Sequence, residues 1–148
     1  MNHAILVVCP ACDQVNRIPD DRPASRAVCG RCRSALFQGR PVELDDARFE
    51  RHVSRSDLPI IVDFWAPWCA PCRAMAPIFE RAARELEPRA RFVKINVDDN
   101  PAAAARLGVR GIPALFALKH GAVLAQHAGL ADATLLSSWV DRISGQAI

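Results

Sequence analysis

The chain has 148 residues with a formal net charge of +3, and 51% of its residues are hydrophobic. This length allows one domain of ordinary size, or a compact domain with a small additional module. The weak positive charge does not indicate a strongly anionic partner. No apolar run approaches the roughly 20 residues that a membrane span needs, which argues against a membrane-spanning protein.

The first residues contain no recognisable export signal. Met-Asn-His has no Lys or Arg, and the apolar run Ala4–Val8 is too short for the core of a signal peptide. We therefore expect a cytoplasmic protein, whose reducing surroundings disfavour structural disulfides. We also expect a monomer with no membrane partner.

Residues 1–40 are predicted to form a small module of short strands and turns. They contain two Cys-x-x-Cys pairs, Cys9/Cys12 and Cys29/Cys32, with sixteen residues between the pairs. Each pair can bend into a knuckle that directs both sulfurs at one centre, and two knuckles make a closed tetrahedral site. We therefore predict a zinc ribbon with one structural zinc ion on four cysteines.

Other interpretations of this module stay open or are disfavoured. An iron centre uses the same four ligands, and sequence alone does not exclude it. Two disulfides are disfavoured by the expected compartment. Five arginines between residues 17 and 33 could suggest nucleic acid, but the module has a single aromatic residue, Phe37, and three aspartates. We expect no nucleic-acid partner.

The composition changes after Gly39, and residues 41–148 are predicted to form a second domain. Asp45 is typical of a helix N-cap, and predicts a helix over residues 46–54 with Ala47, Phe49 and Val53 facing inward. The remaining predicted elements are strand 59–65, helix 71–86, strand 91–97, helix 101–107, strand 114–118, strand 122–126 and helix 132–143.

This order predicts an α/β domain with a mixed sheet flanked by helices. Strands 59–65 and 91–97 are separated by a full helix and should be parallel. The short turn His120-Gly121 makes strands 114–118 and 122–126 antiparallel.

Trp-Cys-Ala-Pro-Cys at residues 68–72 lies where strand 59–65 leads into a helix. Free amide groups and the helix dipole favour an anion there, so Cys69 should ionise easily and attack a disulfide. Cys69 should lie at the exposed end of the helix, whereas Cys72 lies one turn further in, should be partly covered, and should resolve the mixed disulfide. A metal half-site would need two more ligands, and none are spare.

Asp63 places a carboxyl inside the apolar strand 59–65, where burial without a partner raises its pKa. Such a group could accept the proton of Cys72. The alternative is a structural ion pair with Lys94 on the neighbouring strand. Lys94 is therefore counted with Cys69, Cys72 and Asp63 among the candidate catalytic residues. Pro113 precedes a strand, where proline can be cis, but its sequence position alone does not assign the isomer.

Residues 43–148 resemble the thioredoxin family. The resemblance is carried by Asp-Phe-Trp-Ala-Pro-Trp-Cys-Ala-Pro-Cys-Arg at 63–73, Pro77, Lys-Ile-Asn-Val-Asp at 94–98, Gly-Val-Arg-Gly-Ile-Pro at 108–113, and Gly129. It implies a thioredoxin fold, with Cys69 as nucleophile, Cys72 as resolving thiol and Asp63 as buried proton acceptor. It also implies that Pro113 is cis and packs beside the dithiol.

The resemblance further implies a groove along which a substrate chain lies. Its residues here are Trp68, Ala70, Pro71, Gly111, Ile112, Pro113 and Gly129. One position departs from the family pattern, because Ala70 stands where the family usually has Gly. Its methyl group narrows backbone freedom beside the Cys69 sulfur, which could shift the reduction potential and the surface fit.

A zinc ribbon joined to such a domain resembles the bacterial thioredoxin 2 subgroup, and residues 16–22 between the knuckles add to the likeness. The subgroup implies a protein disulfide reductase that acts on protein disulfides and is recharged by thioredoxin reductase and NADPH. Loss of zinc under oxidation is a hypothesis for its regulation.

Two other functions remain as alternatives. In one, the ribbon is a binding or redox-sensing module and the redox domain is its docking partner. In the other, the protein is a net oxidase or isomerase, against which the lack of an export signal argues. The four scattered histidines match no ligand spacing and are assigned surface or packing roles.

Overall fold

The computed structural model describes residues 4–144, which form one two-stranded and one five-stranded sheet with four α-helices. The elements in chain order are β1 (Ala4–Val8), β2 (Val15–Pro19), a 3-10 turn (Ala24–Arg26), β3 (Val42–Glu43), α1 (Asp46–Arg55), β4 (Ile60–Trp65), α2 (Ala70–Leu86), β5 (Arg91–Asn96), α3 (Pro101–Arg106), β6 (Ala114–Lys119), β7 (Ala122–Ala128) and α4 (Ala133–Ser144). Among these residues, no helix has the length and apolar character that crossing a bilayer requires.

The larger sheet is mixed, as the sequence predicted, with strand order β3-β5-β4-β6-β7. Strands β3 and β4 both run parallel to β5, whereas β6 is antiparallel to β4 and β7 is antiparallel to β6. The central strand β4 therefore has neighbours on both sides, and its carboxyl end leads directly into α2.

Helices cover both faces of this sheet. Helices α2 and α4 pack on one face, with Met75, Phe79 and Trp139 buried in that core. On the other face Phe49 of α1 packs against Phe64 of β4, with ring centroids 6.5 Å apart. Because both faces are covered, β4 is an almost continuous apolar run in the sequence.

One predicted inner position of α1 is wrong. Phe49 and Val53 are buried, but Ala47 is exposed, and His52 takes an inner position that the sequence pattern did not suggest. The reason is that α1 packs on two modules at once, since the His52 ring lies against Asp13 of the first module.

The small module docks on the larger domain through an apolar cluster and a buried cation. Val7, Leu36 and Phe37 pack with Leu58, which precedes β4. The Arg91 side chain, 1% exposed, pairs with Glu87 at 3.3 Å and donates hydrogen bonds to the Val8 and Leu36 carbonyls. The first residue of β5 thus holds the first module in place.

Candidate active site and metal centre

The pair Cys69/Cys72 begins helix α2 at the carboxyl end of β4. Cys69 is the N-cap, with extended backbone dihedrals, and its sulfur accepts a hydrogen bond from the Cys72 amide at 3.2 Å. The two residues form a disulfide with their Cα atoms 5.2 Å apart. Pro71 lies in the first turn, where a missing amide proton leaves no helical hydrogen bond unmade. The cap places Cys69 at the positive end of the helix dipole.

The two sulfur-bearing residues differ less in exposure than the sequence led us to expect. Cys69 is 4% exposed and Cys72 is 3% exposed, so the expectation of an open first thiol is wrong for the disulfide form. The reason is that the ring closed by the disulfide packs against Ala66, Trp65 and Ile112. A client must reach Cys69 over its exposed neighbours, among which Trp68 is 67% exposed.

The loop before β6 lies beside the dithiol. The peptide bond between Ile112 and Pro113 is cis, as the thioredoxin resemblance implied. The Cys69 sulfur lies 3.8 Å from the Ile112 carbonyl oxygen. The Gly129 amide, at a residue with φ of +93°, donates to the Pro113 carbonyl at 2.8 Å. These contacts bring the implied groove residues of three separate segments to one rim.

An apolar groove of about 420 Å³ adjoins this rim. Trp68, Gly111 and Ile112 line it together with Val97 and Val109. The Trp68 indole donates a hydrogen bond to Asp98 at 3.0 Å, which fixes the ring at the groove's edge while leaving its face open. Ala70 and Pro71 are exposed on the helix side of the dithiol.

Asp63 lies in the middle of β4 and is fully buried, and neither of its carboxyl oxygens has a hydrogen-bond partner among the described residues. Burial raises its pKa to about 7, against the lowering influence of Lys94 and with a further raising influence of Glu43. Lys94 opposes Asp63 across the β4–β5 pairing, but its ammonium lies over the Trp65 ring, 4.5 Å from the centroid. The structural ion pair considered from the sequence is therefore not formed.

The four other cysteines converge in the first module. Their sulfur atoms all lie within 4.8 Å of one another, and the Cys9–Cys32 and Cys12–Cys29 sulfur pairs are each 3.6 Å apart. Tetrahedral zinc with sulfur ligands at about 2.3 Å separates its ligands by roughly 3.8 Å. The set therefore fits such an ion, although iron would use the same ligands.

Backbone amides donate hydrogen bonds to this cluster at equivalent positions of the two Cys-x-x-Cys pairs. The Ala11 amide donates to the Cys9 sulfur at 3.3 Å, and the Arg31 amide donates to the Cys29 sulfur at 3.4 Å. Asn16 of β2 adds a side-chain hydrogen bond to Cys29 at 3.5 Å. Such hydrogen bonds stabilise negative charge on a sulfur, as metal binding by thiolates requires.

Sequence reasoning missed two residues beside these sites. Glu43 accepts a hydrogen bond from the Trp65 indole at 3.0 Å, next to Lys94. Asp13, which follows the first knuckle, binds Arg48 at 2.8 Å and His52 at 2.9 Å on α1. Neither lies in a motif, because both act through pairings between segments distant in sequence.

Comparisons with known proteins agree with this geometry. The family model described as Thioredoxin matches residues 40–142, and the model described as Thioredoxin 2, N-terminal matches residues 8–34. Thioredoxin C-3 of Corynebacterium nephridii is 36% identical over 138 residues, covering 93% of this chain and 94% of that protein. A thioredoxin of Haemophilus influenzae is 44% identical over 101 residues, covering 68% of this chain and 94% of its own.

A solved structure of a mutant thioredoxin from Halobacterium salinarum NRC-1 superposes with a TM-score of 0.66 at 29% identity, covering 74% of this chain and 96% of that one. The chain therefore belongs to the thioredoxin family of thiol-disulfide oxidoreductases, with the N-terminal zinc ribbon of the thioredoxin 2 subgroup.

Proposed function

We propose that this protein reduces disulfides of client proteins through Cys69 and Cys72, and that thioredoxin reductase returns it to the dithiol form with electrons from NADPH. The observation that carries this proposal is the Cys69/Cys72 disulfide at the N-terminus of α2, next to an open groove and preceded by a strand that holds the buried Asp63 carboxyl. We further propose a cytoplasmic location and a division into a ribbon of residues 1–40 and a redox domain of residues 41–148.

The first step is attack by the Cys69 thiolate on one sulfur of a client disulfide. A mixed disulfide forms between Cys69 and that sulfur, and the second client sulfur leaves as a thiolate and takes a proton from solvent. The positive end of α2 and the Cys72 amide at 3.2 Å stabilise the Cys69 thiolate before the attack.

The second step resolves the mixed disulfide. Cys72 gives its proton to the Asp63 carboxylate, attacks the Cys69 sulfur and forms the intramolecular disulfide, while the first client sulfur leaves as a thiolate and takes a proton from solvent. Asp63 then releases its proton to solvent. The client gains two electrons and two protons, and the protein loses them. A carboxyl with a pKa of about 7 suits this transfer near neutral pH.

The groove holds the client while these bonds exchange. We assign Trp68, Ala70, Pro71, Gly111, Ile112, Pro113 and Gly129 to client binding. An extended client segment can pair its backbone with the loop that precedes Pro113, because a free edge of main chain offers donors and acceptors there.

We assign Cys9, Cys12, Cys29 and Cys32 to one structural zinc ion. All four ligands come from the protein, so the ion would supply folding energy to a module too small to have a large core of its own. The amide donors at Cys9 and Cys29 and the short distances between the sulfurs support this assignment.

Insulin reduction driven by thioredoxin reductase and NADPH tests the proposal. The Cys69→Ser variant should lose turnover by a factor of about 1,000 or more, because the attacking thiolate is absent. The Cys9→Ser variant should keep turnover, since Cys9 lies outside the reacting pair. Loss of turnover in Cys9→Ser alone would instead favour the alternative in which the ribbon is the functional module.

A further inference from the structure

Glu43, Lys94 and Asp63 lie in one row across three neighbouring strands. Glu43 opposes Lys94 in the β3–β5 pairing, and Lys94 opposes Asp63 in the β4–β5 pairing. Side chains at matching positions of paired strands project from the same face of a sheet. A single lysine is thus shared between an outer carboxyl and a fully buried one.

Two contacts define the position of the Lys94 side chain. The Lys94 ammonium lies 4.5 Å from the centroid of the Trp65 ring, and the Trp65 indole donates to Glu43 at 3.0 Å. Both oxygens of Asp63 are left without a hydrogen-bond partner among residues 4–144. The ammonium therefore lies on the Trp65 ring that Glu43 anchors, and it forms no hydrogen bond with either oxygen of Asp63.

We propose that Glu43 is a positioning residue for the proton transfer of the resolving step: by anchoring Trp65 and sharing Lys94, it keeps the ammonium from pairing with Asp63. This inference rests on the proposed function, because it concerns the proton acceptor of that reaction. Without Glu43, the lysine would be free to approach Asp63 and hold it as a permanent carboxylate, a weaker base for the Cys72 thiol.

The electrostatics of the row agree with the geometry. Desolvation is the largest cause of the raised pKa of Asp63, Lys94 opposes it, and Glu43 reinforces it. The charged groups in the same row of the sheet as Asp63 are Lys94 of β5 and, beyond it, Glu43 of β3. Leu115, its partner on β6, is uncharged.

The size of the effect follows from the sheet spacing. Strands lie about 4.8 Å apart, so two strands along the row place the charges roughly 10 Å from each other. At an effective dielectric constant of about 20, a unit charge at that distance shifts a pKa by roughly one unit. Removal of the Glu43 charge should therefore lower the midpoint of the Asp63 titration by about half a unit to one unit.

The direct test is the titration of the Asp63 carboxyl in the oxidised full-length protein, followed by its infrared band or its carbon-13 shift. The Asp63→Asn variant assigns the signal. Glu43→Gln should lower the midpoint while keeping an acceptor for the Trp65 indole, and Glu43→Ala should lower it at least as far. Glu80→Gln, the same change on an exposed part of α2, should leave it unchanged.

Lys94 provides a second arm. If Glu43 acts by holding Lys94 as well as through its own charge, then in a Lys94→Met background the Glu43→Gln change should have a smaller effect, because only the direct influence of the charge remains. An equal effect in the two backgrounds would show that Glu43 does not act through Lys94. In single-turnover reactions with a client disulfide, the pH profile of the resolving step should shift downward with Glu43→Gln, in parallel with the carboxyl titration. A purely structural role would lower the rate at every pH without moving the profile.

An unmoved Asp63 midpoint in Glu43→Gln and Glu43→Ala overturns the inference, as does an equal shift in Glu80→Gln. These outcomes are separable from failure of the proposed function, because the oxidised protein is titrated without turnover. If the wild-type protein does not reduce insulin, the proposed reductase activity is wrong, whereas the titration still measures what Glu43 does to Asp63.

Discussion

The ribbon and the redox domain contain the same Cys-x-x-Cys spacing, but the cysteines form a four-sulfur cluster in the ribbon and a disulfide in the redox domain. In all three pairs the amide four residues after the first cysteine donates to the carbonyl of that cysteine, at 3.0 Å from Asp13 and Arg33 and at 3.2 Å from Arg73. In the ribbon, that fourth residue has a positive φ, 66° at Asp13 and 70° at Arg33, and the chain reverses. At Arg73 the chain continues as α2.

This difference decides what each pair can bond. The reversal lets the amides of Cys9 and Cys29 pair with the carbonyls of Gln14 and Ser34, so that each knuckle closes and its sulfurs face a shared centre. In the redox domain the chain continues as a helix, and the sulfurs of Cys69 and Cys72 bond to each other in a disulfide. The spacing brings two sulfurs together, whereas the residues after the second cysteine determine their partner.

Loss of one ribbon ligand should produce the largest effect and should be confined to one region. In Cys9→Ser, we expect the zinc content to fall from one ion per chain toward zero. Structural zinc contributes about 10 kcal/mol or more of apparent binding energy, so the ribbon should lose protection against hydrogen exchange at β1 and β2. Amides of β4 and α2 should keep theirs.

The matched control is Cys69→Ser, in which we expect full zinc content and protected β1 and β2 amides. Equal loss of protection in the ribbon and in β4 of the Cys9→Ser protein would show that the two regions unfold as one unit, and the comparison would then fail.

The contact between the ribbon and the redox domain should contribute several kcal/mol to the free energy of unfolding. Arg91→Met leaves the Glu87 carboxyl, whose side chain is 3% exposed, without its ion-pair partner, and it removes the hydrogen bonds to Val8 and Leu36. Breaking a buried pair in this way costs about 3–5 kcal/mol. We expect a loss of this size in the free energy of unfolding measured with urea.

Arg89→Met is the control for this measurement, since Arg89 pairs with Asp141 where the two side chains are 47% and 62% exposed. An exposed pair contributes about 0–1 kcal/mol. Similar losses in the two variants would mean that burial of Arg91 does not connect the modules.

The sequence was most informative where a residue acts through its own strand or helix. The redox pair at the start of α2, the buried Asp63 and the knuckle cysteines all follow from local patterns, and the mixed sheet follows from connection lengths. The cis bond before Pro113 came only from the thioredoxin resemblance.

What the sequence did not reveal depends on contacts between distant segments. The two-residue strand β3 is too short for a periodic pattern, so the place of Glu43 beside Lys94 was missed. Arg91 looked like an ordinary strand terminus, yet it lies under the ribbon. The coverage of Cys69 likewise arises from packing against Ile112, 43 residues away.

Asp63 should make the redox domain, but not the ribbon, less stable as the pH rises. Its pKa is about 7 in the folded protein and near 3.8 when exposed, so between these values the folded state binds the extra proton. Stability is therefore lost as the pH rises through that window, and Asp63→Asn, which stays neutral, avoids the loss. The stability advantage of Asp63→Asn should grow by about 3 kcal/mol between pH 5 and pH 8.

Urea unfolding of the oxidised wild-type and Asp63→Asn proteins at several pH values measures this difference. The pH dependence that arises from the ribbon cysteines is the same in both proteins and cancels in the difference. An advantage independent of pH would show that the carboxyl is not the titrating group.

Ala70→Gly should have the smallest effect. It distinguishes the contribution of the disulfide ring to the reduction potential from the contribution of helix α2. Ala70 is the exposed first residue of α2, inside the ring closed by Cys69 and Cys72. Glycine gives the open dithiol form more backbone freedom, which disfavours ring closure by up to about 1 kcal/mol, so the reduction potential should become less negative by up to roughly 20 mV.

The same change at Ala74, exposed in α2 beyond the ring, is the control. It should lower the stability of the reduced and oxidised forms by similar amounts, up to about 1 kcal/mol, and leave the potential unchanged. A redox titration of both variants against glutathione measures the difference. Equal shifts would mean that the helix as a whole sets the potential, whereas a shift only in Ala70→Gly would assign that role to the two residues between the cysteines.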